Sequence, residues 1–260
     1  MRRSYLNHIG PSKFLLGLFT TLVLLGIAAP VSAETTDGGL HRPMRIAIVR
    51  EAEDKCEPLC TEWIYAFGTI EQRTPKLLAK FLKQLDGRRL PVIVESPGGE
   101  TYAAMEMGRM IRAKQLDIAV GHTRFQKCAP DEKNCKPLWT DKIAYGGSSY
   151  PGKASCDSAC VYLFVGGFAR LRSDQNFMGV HMGTSARAKP DVEAYLGEMG
   201  IGSGLVPIIF STKKLRDLTS EEMRDFSIVT DFGNSNDLTS AGLCKKEFPP
   251  DNCILRSSTN

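Results

Sequence analysis

"VESPGGETYAAMEMGRMIR", Val94 to Arg112, is the stretch on which the fold turns. An apolar run ends in Ser96-Pro97-Gly98-Gly99, and a helical pattern starts at once, with Ala104, Met107, Gly108 and Ile111 on one face. Proline and paired glycines end a strand, and glycine lets other groups approach the main chain closely. A strand that turns through glycines into a helix is half of a βα unit. The same alternation recurs on both sides of it.

Upstream, "MRIAIVR" (Met44 to Arg50) reads as a buried first strand. "CEPLCTEWIYAFGTI" (Cys56 to Ile70) reads as a clamped loop with two cysteines, and "TPKLLAKFLKQLDG" (Thr74 to Gly87) as a helix. Downstream, "LDIAVG" (Leu116 to Gly121) is a strand, and 124–153 is polar, rich in Gly and Pro, and too long for an ordinary connection. We read that stretch as an insertion near the functional face. "ACVYLFVGG" (Ala159 to Gly167) is a helix, and "FMGVHMG" (Phe177 to Gly183) a strand. "KPDVEAYLGEMG" and "SGLVPIIFST" are helices, and "LTSEEMRDFSIVT" (Leu218 to Thr230) is a helix running into a final strand. Strands alternating with helices give an α/β domain with a parallel sheet covered on both faces, here 45–260.

Three pieces stand in order: Ser-Pro-Gly-Gly at 96–99, "CDSACVYLFVGG" with Ser158 at a small-residue turn before a helix, and "MGVH" ending in His181, 23 residues after the serine. This order resembles the ClpP/crotonase superfamily, with its repeated ββα/βα units, and within it exported ClpP-like serine proteases. The resemblance runs from Arg45 to about Thr230. It implies that Ser158 is the nucleophile, His181 the base, and the Gly98-Gly99 turn part of an oxyanion hole. An acid near Asp217 then orients the histidine, with Asp231 and Asp237 as alternates.

Elementary chemistry points the same way. A serine is a weak nucleophile until a base lies within hydrogen-bond reach. The Ala159 N–H, at a helix start, and an N–H of Gly98 or Gly99 are the donors available to a developing oxyanion. Each residue also has a plainer role: Ser158 as a helix cap, Pro-Gly-Gly as a turn, His181 as a core residue, Asp217 as a first-turn charge.

The N-terminus bears on the compartment. Arg2, Arg3 and Lys13 precede an apolar run from Phe14 to Pro30, and Val31 and Ala33 are the small residues of a cleavage site, so 1–33 reads as a secretory signal peptide and 34–44 as a linker. An uncleaved anchor is the rival, the run being near the lower limit for a bilayer span. Removing the leader takes three cations and lowers the formal charge from +4 to +1, which gives no reason to invoke nucleic acid.

All eight cysteines follow: Cys56, Cys60, Cys128, Cys135, Cys156, Cys160, Cys244 and Cys253. An even count after an export signal favours disulfides over zinc, since no histidine neighbours a pair and no CxxC occurs. Pairing between neighbours is the simplest scheme. A longer bridge from Cys128 or Cys135 to the serine turn is the alternative.

The expected protein is a periplasmic or secreted serine hydrolase acting on a peptide or protein, without metal or cofactor. It has no membrane span after leader removal and is a monomer or small homo-oligomer. A catalytically silent scaffold that binds a peptide or partner protein is the second reading. An acyl-CoA enzyme fits poorly with export.

Overall fold

The computed structural model describes residues 40–52, 55–56, 58–137, 144–183 and 185–255. The expected signal peptide and most of the linker lie outside them. Strand β1 (Arg45–Glu51) is buried along nearly its whole length, as its apolar run requires. Next comes β2 (Leu59–Phe67), whose seven inner residues are all buried. It pairs antiparallel with β1 from Arg45↔Phe67 to Arg50↔Glu62. Its other edge meets β3 (Val92–Glu95) in parallel, Ile64 opposite Val92.

A central strand therefore stands where a clamped loop was expected. Two features hide it in the sequence. A strand covered on both faces shows no alternation. It also carries Glu62, whose carboxylate is fully buried and held by Arg50 and Arg88.

Helix α1 (Thr74–Gln84) precedes β3, and α2 (Thr101–Ala113) follows the Ser-Pro-Gly-Gly turn. Then come β4 (Ile118–Val120), β5 (His122–Phe125) and β6 (Ala144–Tyr150). The expected insertion is thus partly sheet: β6 lies parallel to β1 and antiparallel to β5. "AYGGSSY" reads as loop because its side chains are small, and Gly147 fits where a β-carbon would press on Val49 and the Arg124 carbonyl. The remainder, around 126–137, is a loop closed by a Cys128–Cys135 bridge.

Helix α3 (Cys160–Val165) has six residues, all buried. So short a helix is unstable alone. Burial of its five large side chains supplies roughly 8–15 kcal/mol of gross transfer energy, enough to hold it against the sheet. After β7 (Arg170–Arg172), the "FMGVHMG" strand is reduced to β8 (Gly179–Val180). Helices α4 (Lys189–Glu198) and α5 (Leu205–Ser211) lead to β9 (Arg216–Asp217). These two short strands pair with each other in a separate antiparallel ribbon, rather than joining the main sheet.

Helix α6 (Ser220–Asp225) opens with a capping box between Thr219 and Glu222. The expected final strand at "SIVT" moves to β10 (Asp231–Phe232), because Ile228 and Val229 turn into the core. A one-turn helix α7 (Asn236–Thr239) and β11 (Cys253–Leu255) complete the elements.

Among the described residues the main sheet runs β10-β7-β4-β3-β2-β1-β6-β5, with β11 on the free part of β2. Most pairings are parallel. Ile48, Ile64, Val94 and Val120 face the larger core with α2 and α3, whereas Trp63, Tyr65 and Ile93 form a smaller cluster joined by Leu238 of α7. The architecture is mixed α/β with a mostly parallel central sheet.

Candidate active site

The turn 154–159 is sewn to two strands by its backbone. On one side Asp157 N–H donates to Ser96 C=O at 2.9 Å, and Ser96 N–H to Ser155 C=O at 2.9 Å. On the other, Cys156 N–H donates to Phe177 C=O at 3.0 Å and Ser158 N–H to Gly179 C=O at 2.7 Å. Ser158 itself has φ +55°, a left-handed conformation that non-glycine residues rarely adopt. The tertiary bonds on both sides hold it there, as strained residues require.

His181 follows β8 by one residue. Its Nε2 lies 2.8 Å from Ser158 Oγ, and both side chains are half-buried, so the pair is reachable from solvent. With Nε2 unprotonated the hydroxyl donates, the arrangement a general base needs.

Gly98 and Gly99 have φ +99° and +133°, where only glycine is unstrained. A β-carbon on Gly98 would stand 2.8 Å from Ser158 Cβ and 2.9 Å from the Ala159 nitrogen, so this turn abuts the serine. Gly98 N–H donates to Ser96 Oγ at 3.1 Å and is engaged, which removes it from the expected oxyanion donors. The bridge to Ile70 uses Gly98 C=O and Glu100 N–H, so the Gly99 N–H faces the other way. Neither Gly99 N–H nor Ala159 N–H has an acceptor among the described residues. Ala159 is the N-cap of α3.

The three acids behave differently. Asp217 is exposed on β9, opposite Gly179, and no hydrogen bond joins it to His181 among the described residues. It lies close enough to act electrostatically on Asp157. Asp231 accepts from Phe232 N–H at 2.8 Å and Asp237 from Asn234 N–H at 2.7 Å, so each serves its own turn.

All four cysteine pairs are neighbours: Cys56–Cys60, Cys128–Cys135, Cys156–Cys160 and Cys244–Cys253. Cys156 and Cys160 are fully buried on either side of Ser158 and tie the turn to the first residue of α3. Among the described residues no three His, Cys, Asp or Glu side chains converge as metal ligands would, and no helix is long and apolar enough to cross a membrane.

Two residues at the site were not singled out by sequence reasoning. Asp157 Oδ1 accepts from Gly179 N–H at 2.7 Å. Burial raises its pKa above the ordinary carboxylate value, an effect only partly offset by hydrogen bonds from Gly179 and Ser155 and by the nearby imidazole. Gly183 is exposed, and a β-carbon on it would lie 3.1 Å from Ser158 Oγ. A charged residue beside a candidate serine is a weak signal for the first. Nothing in the sequence marks the second.

The chain is thus a mixed α/β protein with a serine–histidine pair where the 154–159 turn meets β8 and His181 just beyond it. No family model and no curated protein matches it. Among solved structures it is similar to ClpP1 from Listeria monocytogenes, at 15% identity and TM-score 0.44, over 66% of this chain and 91% of that one. It is also similar to a mutant of the 1510-N membrane-bound stomatin-specific protease, at 14% identity and TM-score 0.42, over 65% of this chain and 78% of that one. Another mutant of that protease, in complex with a substrate peptide, matches at 13% identity and TM-score 0.40, over 63% and 70%.

Proposed function

We propose that the chain is an exported serine hydrolase of the ClpP/crotonase type, acting as a peptidase on a peptide or protein. The observation that carries this reading is the 2.8 Å separation of Ser158 Oγ and His181 Nε2 in a reachable site. A silent scaffold has no need of that contact, nor of a strained serine held in place to make it.

In the proposed reaction His181 Nε2 takes the hydroxyl proton as Ser158 Oγ bonds to the substrate carbonyl carbon. The carbonyl oxygen gains negative charge and is received by the N–H groups of Gly99 and Ala159. Loss of one such donor typically costs about 10²–10³ in rate. The imidazolium then protonates the leaving amine as the C–N bond breaks. Water, deprotonated by His181, then attacks the acyl carbon, and the imidazolium gives the proton to Ser158 Oγ as the C–Oγ bond breaks, releasing the acid.

Asp217 is the acid assigned to the imidazole, acting from the neighbouring strand through its charge rather than by a hydrogen bond. Four short disulfides support an oxidising compartment, periplasmic or extracellular. We assign the protein as a monomer or small homo-oligomer.

A fluorophosphonate probe tests the reading. Ser158 Oγ displaces fluoride from phosphorus and passes its proton to His181, leaving a stable phosphonate ester of the serine. Wild-type protein should be labelled on Ser158, and Ser158→Ala and His181→Ala should not. Unlabelled wild type, or equal labelling of Ser158→Ala, rejects the proposal.

A further inference from the structure

Resting on the hydrolase reading, we propose that Asp157 is a positioning residue, whose carboxylate sets the distance between Ser158 and His181 by holding the main chain of Gly179. Two consecutive residues grip one residue of β8 by both its polar groups. Ser158 N–H takes the Gly179 carbonyl at 2.7 Å, and Asp157 Oδ1 takes the Gly179 N–H at 2.7 Å. His181 follows two residues later, so this clasp sets where the imidazole stands relative to the hydroxyl.

No other group takes over the work. Strand β9 pairs with the opposite edge of β8, where Leu218 N–H donates to Met178 C=O at 2.9 Å, and both polar groups of Gly179 face the serine turn. Gly179 is buried, and among the described residues no other group accepts from its N–H. The clasp fits closely: a β-carbon on Gly179 would lie 2.8 Å from Leu215 Cγ and 2.9 Å from Asp157 Oδ1. The ordinary duty of an aspartate before a helix is to cap it, and α3 has no side-chain cap. The charged and polar groups around the carboxylate are His181, Asp217 and Ser155, and the imidazole among them favours its ionised form.

Labelling kinetics separate positioning from simple support of the fold. Asp157→Ala removes the acceptor and should lower the maximal fluorophosphonate labelling rate about 30–100-fold, with the probe's half-saturation changed less than about threefold, as for a misplaced reacting group. Asp157→Asn keeps an acceptor oxygen at the same reach and should restore the rate to within about fivefold of wild type. Full-speed labelling of folded Asp157→Ala overturns the inference and leaves the hydrolase reading standing. A loss above about 30-fold in folded Asp157→Asn also overturns it, and this arm decides the matter should the alanine variant not fold. Unlabelled wild type brings down both readings together.

Discussion

Gly183 stands over Ser158: a β-carbon on it would lie 3.1 Å from the Ser158 hydroxyl oxygen and 3.1 Å from His181 Cε1. The residue is exposed and its backbone is outside the left-handed region, so alanine is free to adopt its conformation. Gly183→Ala should therefore leave stability within about 0.5 kcal/mol while crowding the hydroxyl and imidazole. We expect fluorophosphonate labelling to slow about 10-fold in Gly183→Ala and about 100-fold in Gly183→Val, with nearly unchanged melting temperatures. Labelling at the wild-type rate in the valine variant would show that substrate reaches the serine from another side.

Asp217 makes a quantitative prediction. Replacing an acid that holds a catalytic histidine by a hydrogen bond drops the rate about 10⁴-fold. Asp217 makes no such bond among the described residues. Asp217→Asn should consequently slow labelling by about 10-fold or less, the size of a charge effect across partly screened solvent. A loss near 10⁴ would mean that β9 moves to bring the carboxylate onto His181 in the reacting protein.

Asp157 also carries a pH signature. Its folded pKa is raised by burial, so the ionised form is penalised by the fold. For a raised acid the stabilising contribution is fully present below about pH 4, the unfolded value, and is lost as pH rises through the folded value. Asparagine never carries the charge. Asp157→Asn should thus melt higher than wild type at pH 7, and the advantage should shrink as pH falls from above the folded value toward about 4 and be absent below it. Thermal melts across that range check it, and a variant less stable at pH 7 would contradict it.

The Cys156–Cys160 bridge closes a very short loop, yet it brackets the serine. Loop-closure entropy gives about 2 kcal/mol for so small a ring, and the lost sulfur packing in a fully buried place adds to it. Replacing both cysteines by alanine should cost about 2–4 kcal/mol, or roughly 5–15 °C in melting temperature, and slow labelling as the turn loosens. Removing Cys128 and Cys135 instead should leave labelling unchanged, because among the described residues no hydrogen bond joins the 126–137 loop to the serine turn. Peptide mapping without reductant should find only neighbour pairs, and a peptide joining Cys128 to Cys156 would overturn the pairing.

The legible parts of this protein were those whose side chains announce their surroundings. Helices α1 and α2 show a one-sided apolar stripe, and the paired glycines at 98–99 mark a turn no other residue fits. Strand β2 was hidden for the opposite reason. It is buried on both faces, contains a buried glutamate paired with two arginines, and so reads as irregular. The contact between Ser158 and His181 was foreseeable only from the order of three motifs, since a 23-residue spacing encodes no distance by itself. Asp157 and Gly183 lay out of reach because their roles depend on where β8 and the segment after His181 fold back. A carboxylate facing a main-chain N–H leaves no pattern along the chain.

Strand β11 lies against Leu59–Thr61 of β2, and Asn252 bonds both the N–H and the C=O of Glu62, 190 residues before it. A ribosome adding about 5–20 residues per second would take roughly 10–40 s to make the chain between these partners. Throughout that interval the first residues of β2 are an open strand edge, ready to pair with whatever chain comes by. The sheet can be completed only after both partners, 190 residues apart, have been made, which makes β11 one of the last pieces to dock.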